Sequence, residues 1–448
     1  MNHPKKTEIQ PKHSTLILAQ TLDFPEPDTI RHRPRAALII SQGRIVWHGD
    51  RSDLAWSKDA FAERHDYGDA WLLPGFIDCH VHAAQLPVMA SWGTQLLDWL
   101  NQYTFPAERR FEQESMADQE NARFLDQLLA HGTTTAMVFS TVHEQATHSL
   151  FAAAEQRNMA VVAGKVLMDR HCPEYLQDTA QSGYDASARL IDQWHGRSRL
   201  QYAVTPRFAP TSSEAQLEQA SALMSRAKGL YVQTHIAENP DEIAWVKALF
   251  PWAKDYADVY HRYGLLHERS ILAHGIHLQP AEWQRLASQQ ARLAVCPTSN
   301  TFLGSGLFDF QTAATTGVSL AYASDVGGGT SLSMLVTAAE AYKVAQLGGH
   351  RLTANQLAYG ITQGNARALS LEAEIGTLEV GKMADLVIYS PAAKPLLLHR
   401  FDCAETIEEQ LFAMLILGDE RCIEATWVAG DRRFAVNGGS QKAAGSHY

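Results

Sequence analysis

Residues 71–85 read WLLPGFIDCHVHAAQ: an apolar run broken by Pro74 and Gly75, then a second run that ends in two histidines one residue apart and a glutamine three further on. In a strand, side chains at i and i+2 share a face, so His80 and His82 project together. A run buried on both faces is typical of a parallel strand, and His80 and His82 stand at its carboxyl end. Catalytic groups of a parallel barrel sit at that end.

Seven further runs of the same style follow: TTAMVFS, MAVVAGKVLM, LQYAVTP, LYVQTHIA, SILAHGI, ARLAVCP and VSLAYASD. Helical patterns such as ESMADQENARFLDQLLAHG and longer loops separate them. Eight β-runs alternating with helices predict an α/β fold, a distorted (β/α)8 TIM-like barrel over residues 73–378. A doubly wound sheet would carry a glycine-rich phosphate turn after its first strand, where this chain has histidines. The later DVGGGTS follows the last strand and lacks both the P-loop lysine and the dinucleotide spacing.

Outside the barrel, STLILAQTL, AALIIS and RIVWHGD before it, and ADLVIYS and ATWVAGDRRFAV after it, are short strands around Gly-containing turns. They predict a small β-sandwich domain formed jointly by residues 14–72 and 379–437. Residues 1–13 and 438–448 are polar, without periodicity, and are expected to be flexible tails.

Composition narrows the partners. A net charge of −11 with no Lys/Arg cluster argues against nucleic acid. No apolar run reaches membrane-span length and no h-region follows Lys5 and Lys6, so no membrane association is expected. Cys79, Cys172, Cys296, Cys403 and Cys422 are an odd, scattered set, which predicts reduced thiols and a cytoplasmic location.

Three more runs end in metal-competent residues: His235 in VQTHIAE, His274 in LAHG and Asp325 in AYASD. If the barrel closes, these converge with His80 and His82. Imidazoles and one carboxylate with an open position suit catalytic zinc, or iron(II) of similar geometry. Such an ion brings the pKa of its water to about 7 and supplies a nucleophile at neutral pH. Glu238, three residues after His235, is the natural proton shuttle. Asp78 reads as structural. His131, His143, His171 and His277 lie off the strand tips and read as loop or surface histidines. Lys165 would matter only if two ions were bridged, and the mononuclear pattern is preferred. Cys79 and Cys296 read as packing thiols. The segment WGTQLLDWLNQYTFPAERRF has the spacing of a packed helix, in the core or at a subunit interface, rather than of a substrate contact.

Together PGFIDCHVH, THIAE, AHG, SD and GTLEVGKMADLVI resemble the amidohydrolase superfamily. HAAQ, GTQLLDWLNQYTFPAERRF, HGTTTAMVF, GKVLMDR, TPRFAPTSS, THIAENPDEIAWV, CPTSNTFLGSGLF and GGGTSLSML are similar, more narrowly, to its zinc-dependent guanine deaminases. The resemblance implies one zinc per subunit on His80, His82, His235 and Asp325, with His274 as a neighbour or long-range ligand. It implies that Gln85, Arg207 and the Phe208 backbone contact the purine, bordered by His82, His235, Glu238 and Asp325. It implies a lid in SNTFLGSGLF and a homodimer.

The chemistry agrees with those assignments: a lactam edge needs an amide that donates and accepts and a cation that only donates, as Gln85 and Arg207 do. The implied reaction belongs to purine catabolism or salvage. Zinc-activated hydroxide attacks C2 of guanine, Glu238 shuttles protons, Asp325 takes the proton of the water, and His274 orients it. Xanthine and ammonia are the products. The alternatives are deamination of 8-oxoguanine, a pterin or another aminopurine, opening of a cyclic amide by a two-metal site, and a non-catalytic scaffold.

Overall fold

The computed structural model describes residues 9–92 and 95–436. Most of the two expected tails, together with Gly93 and Thr94 of the GTQLLDW motif, lies outside the described residues. Residues 9–13 correct the expected N-terminal tail. Pro11–His13 form a 3-10 turn, and Ile9 is buried against Leu16, Leu18, Ala37, Ile39 and Phe61.

Four strands precede the barrel: β1 (Thr15–Glu26), β2 (Thr29–Ser41), β3 (Arg44–Asp50) and β4 (Glu63–Pro74). The barrel runs through β5 (Phe76–His82), β6 (Thr133–Phe139), β7 (Ala160–Gly164), the short β8 (Val166–Leu167), β9 (Leu200–Pro206), β10 (Tyr231–Ile236), β11 (Ser270–His274), β12 (Arg292–Val295) and β13 (Leu320–Tyr322). After it come β14 (Leu386–Tyr389), β15 (Ile423–Val428) and β16 (Asp431–Ala435).

The two chain ends share one sheet of order β16-β15-β14-β4-β1-β2-β3, antiparallel except for the parallel β1/β4 pair. Both faces of β1 are covered. Leu16 and Leu18 pack with Ala37, Ile39 and Phe61, whereas Ile17 and Ala19 pack with Leu38, Leu72, Leu386 and Trp427. This two-sided burial explains why the flanking segments read as short apolar runs rather than strict alternations.

The opening stretch serves both layers. Its first part, Trp71–Pro74, completes β4 in the small sheet, and the chain enters β5 one residue later. Gly75 makes the handover. A Cβ there would lie 2.2 Å from Thr134 Oγ1, so a side chain has no room.

The remaining strands form a parallel array β5-β6-β7-β9-β10-β11-β12-β13, with β8 paired to β9. All eight expected runs supply it. Ile77, Cys79, Met137, Val162, Ala203, Tyr231, Ile271, Ala294, Cys296 and Ala321 form its interior, sealed by Ala366, Leu369 and Ile375. A break in register between Asp78 and Val81 shifts the alternation along β5, so that Cys79 joins this apolar interior while His80 faces the other imidazoles above it.

The seam between β5 and β13 is closed mainly by side chains. Asn365, fully buried, donates to Ile77 O at 2.7 Å and Tyr322 O at 2.8 Å and accepts from Tyr322 N at 2.8 Å. Above it Asp78 accepts from Ser324 N at 3.1 Å, from Ser324 Oγ, and from His80 N at 3.2 Å. Two backbone bonds finish the closure: Asp325 N to His80 O and His82 N to Val326 O, both 2.9 Å. No helix among the described residues is long and apolar enough to cross a membrane.

Candidate active site

The seam carries the chemistry. His80, His235, His274 and Asp325 each present a ligand atom within 4.8 Å of the others; His80, His274 and Asp325 are buried and His235 is partly buried. His82 falls outside that four-atom set, yet its Nε2 stands 3.2 Å from Asp325 Oδ1, as does His80 Nε2. Asp325 lies three residues past the end of β13, with φ 51°, and His274 ends β11 with φ 75°. Both occupy the left-handed region that non-glycine residues avoid, a local cost consistent with a functional constraint.

Two of the imidazoles are turned by fixed partners. His235 Nδ1 donates to Arg207 O at 2.7 Å and His274 Nδ1 to Asn300 Oδ1 at 2.8 Å, which directs both Nε2 atoms toward the cluster. Burial pushes His80 down to about 4 and His235 well below the usual imidazole range, so both are neutral and offer lone pairs. For His274 burial acts in the same direction, but Glu238, Asp325 and Asn300 outweigh it and hold it above the ordinary value. Burial also opposes ionisation of Asp325, yet the imidazoles of His80, His82 and His274 hold its carboxyl well below the usual range. The buried His80 Nε2 has no hydrogen-bond partner. The neutral imidazoles of His80 and His235 beside an anionic carboxylate, with an unsatisfied nitrogen among them, fit one divalent cation.

Glu238 stands beside this group. Its Oε2 is 3.3 Å from His274 Nε2, and its Oε1 accepts from Ser305 Oγ at 3.0 Å. Burial raises its carboxyl to about 7, against the lowering effect of His274. Glu242 fixes the backbone there. Its Oε2 accepts from Glu238 N at 2.9 Å and Asn239 N at 3.1 Å, and Tyr256 donates to its Oε1 at 2.7 Å.

A cavity opens onto the cluster. Leu96, Trp99, Leu100, Phe208 and Leu303 form its apolar wall, and Gln85 and Arg207 supply its polar end. Glu108 joins those two: its carboxylate accepts from Arg207 Nη1 at 2.9 Å through both oxygens and from Gln85 Nε2 at 3.2 Å. Gly327 N donates to Gln85 Oε1 at 3.2 Å, and a Cβ on Gly327 would sit 2.7 Å from Gln85 O. The glycine-rich turn is therefore a close-packed support for Gln85.

The model of the amidohydrolase family matches residues 71–433. This chain belongs to the amidohydrolase family. It is 44% identical over 419 residues to a guanine deaminase of Escherichia coli strain K12, covering 93% of this chain and 95% of that one. The solved E. coli guanine deaminase superposes with a TM-score of 0.92 at 42% identity, over 94% of this chain and all of that one. The guanine deaminase of C. acetobutylicum, solved with guanine bound in the active site, superposes with a TM-score of 0.86 at 26% identity, over 94% of this chain and 100% of that one.

Within this amidohydrolase, the residues expected at the site, His80, His82, Gln85, Arg207, Phe208, His235, Glu238, His274 and Asp325, all lie in or beside one cavity. Lys165 does not. It is buried in an ion pair with Asp178 and donates to Val166 O at 3.2 Å. The segment read as a packed helix is corrected in part. Helix Leu96–Trp99, a π-helical turn Leu100–Thr104 and helix Phe105–Arg109 do pack inward, but Leu96, Trp99 and Leu100 form cavity wall. His277 is also engaged, with its Nε2 2.9 Å from Ser305 O, where it braces the loop that reaches Glu238.

Sequence reasoning missed Glu108, Asn300, Ser305 and Glu242. For Glu108 a signal existed, since an acid inside an apolar-spaced segment must be paired if that segment is buried. Asn300 and Ser305 follow a strand and had none.

Proposed function

We propose that this amidohydrolase deaminates guanine to xanthine and ammonia. One observation carries the reading: Gln85 and Arg207, complementary to a lactam edge, face the same small cavity as the imidazole–carboxylate cluster and Glu238. The similarity to guanine deaminases along nearly the whole chain supports it.

His80, His82, His235 and Asp325 would hold one metal ion, with His274 beside it, and their donor types favour zinc, with iron(II) of similar geometry. When bound, the ion supplies Lewis acidity that makes water nucleophilic near neutral pH. Arg207 donates to the ring carbonyl, Gln85 donates and accepts along the lactam edge, and the Phe208 backbone contacts the ring. His82 and His235 border the other side. Glu238 gives its proton to N3 as water adds at C2, and Asp325 takes the proton released by that water. His274 holds the attacking oxygen in line. Glu238 then takes the proton of the C2 hydroxyl and passes it to the amino group, which leaves as ammonia while the C2 carbonyl forms, and the proton held by Asp325 restores Glu238. The apolar wall excludes competing water.

The same reading makes the protein a cytoplasmic homodimer, with residues 14–72 and 379–437 as one β-domain around the barrel of 73–378. The lid is the segment after β12, made of the short helix Pro297–Phe302 and the loop beyond it, supported by the bonds of Asn300 and Ser305 into the site. The test is ammonia release from guanine, adenine, 8-oxoguanine, cytosine and a pterin, with metal analysis of the same preparation. Guanine should be turned over fastest, with one metal ion per chain. No release from any aminated ring would sink the proposal.

A further inference from the structure

Resting on the reading that the cavity takes guanine, we propose that Glu108 is a positioning residue. It aims Gln85 and Arg207 and makes the ring-reading pocket selective for a neutral ring over an anionic one. Glu108 sits on helix Phe105–Arg109 and does not line the cavity, so it acts only through its partners.

Its first effect is orientation. Gln85 is held at both ends: Nε2 donates to Glu108 and Oε1 accepts from Gly327 N. Flipping the amide would set its oxygen against a carboxylate, so its remaining N–H and lone pair have fixed directions. Arg207 is held likewise. Nη1 is committed to both oxygens of Glu108 while Phe105 lies under the guanidinium, 5.3 Å from ring centroid to Cζ. The other guanidinium N–H groups remain for a carbonyl oxygen.

The second effect is charge. The pair is buried, with side chains 3% and 1% exposed. A guanidinium so buried and left unpaired would be a strong trap for anions. Glu108 cancels it. The distinction matters because xanthine, a dioxo ring, is a stronger acid than guanine. An uncompensated Arg207 would hold the ionised product, whereas the neutral pair binds a neutral lactam and lets that product go. The other ionisable groups in electrostatic reach are His82 and Cys172 near Arg207 and His143 near Glu108.

The experiment compares wild type, Glu108→Gln, Arg207→Gln and the double variant in kcat and KM for guanine and in metal content. Inhibition by xanthine is measured on both sides of the first ionisation of xanthine. Glu108→Gln should keep its metal and lose about 10- to 100-fold in kcat/KM. Xanthine should inhibit it about tenfold more tightly than wild type, on the alkaline side only, where the ionised ring meets an uncompensated guanidinium. In the Arg207→Gln background the same change should cost less than about threefold, since the two act as a unit.

Unchanged kcat/KM and unchanged xanthine inhibition would overturn the proposal, as would an equal loss with Arg207 absent. If Glu108→Gln does not fold, Glu108→Asp keeps the charge and retracts it. That variant should lose kcat/KM without gaining xanthine affinity, and wild-type kinetics there would also overturn it. Failure of the guanine reading is separable, because the wild-type protein would then release no ammonia.

Discussion

Replacing Glu238 by Gln separates proton chemistry from architecture. The carboxyl is held by Ser305 Oγ at 3.0 Å and faces His274 Nε2 at 3.3 Å, and an amide of the same size preserves the Ser305 bond through its oxygen. What it loses is a transferable proton. A carboxyl raised to about 7 is matched to proton transfer near neutral pH, and it is asked to act twice, at the ring nitrogen and at the departing amine. One positioned acid–base group is worth about 10²- to 10⁴-fold in rate. Since each tenfold is about 1.4 kcal/mol, a kcat loss of at least about 10³-fold, or roughly 4 kcal/mol of barrier, is expected. KM and metal content should stay close to wild type, because Glu238 is not among the four atoms of the cation-sized cluster. Steady-state ammonia release, single-turnover kinetics and metal analysis read these quantities separately. A kcat within about tenfold of wild type, with metal retained, would refute the assignment of the shuttle.

Stripping metal with a chelator should lower the thermal midpoint, and at metal near 1,000 times its dissociation constant the linkage is about 4 kcal/mol; calorimetry with and without metal measures it. Asn365→Ala strands Ile77 O, Tyr322 O and Tyr322 N inside the seam and should destabilise by about 3–9 kcal/mol at about 1–3 kcal/mol per orphaned group, read by thermal or urea unfolding. Gly75→Ala meets Thr134 Oγ1 at 2.2 Å and should cost about 1–3 kcal/mol on the same assay. Burial lowers His48 to about 4, below its unfolded value, so its contribution is present above about pH 6.5 and is lost as pH falls toward 4, up to roughly 3 kcal/mol. His48→Gln should flatten that acid limb, and an unchanged profile would remove His48 from it.

The eight strands were legible because burial on both faces makes each a plain apolar run, and the cluster was legible because each polar member ends such a run. Periodicity could not reveal the handover at Gly75, since β4 and β5 read as one stretch although they belong to different sheets. The wall residues Leu96, Trp99 and Leu100 were equally opaque. A slot for a flat ring and a protein core call for the same apolar side chains, and only tertiary packing decides which is present. Glu108, Asn300 and Ser305 act through partners far away in sequence, 99 positions in the case of Glu108 and Arg207, and no local pattern encodes such a pairing.

The way the barrel is closed has a consequence for its assembly. Asp78 and Ser324 meet across 246 positions, so until the chain beyond the last barrel strand arrives the buried carboxylate has only the local His80 N–H. Contacts of this span carry a high loop-closure entropy and form late. During synthesis the amino-terminal strands would stand as an open sheet with β5 at its free edge, and the imidazoles of His80 and His82 exposed there. Joining that edge to the carboxyl-terminal end of the barrel completes the fold and the cation-sized cluster in one event. A chain interrupted before Asp325 would have neither.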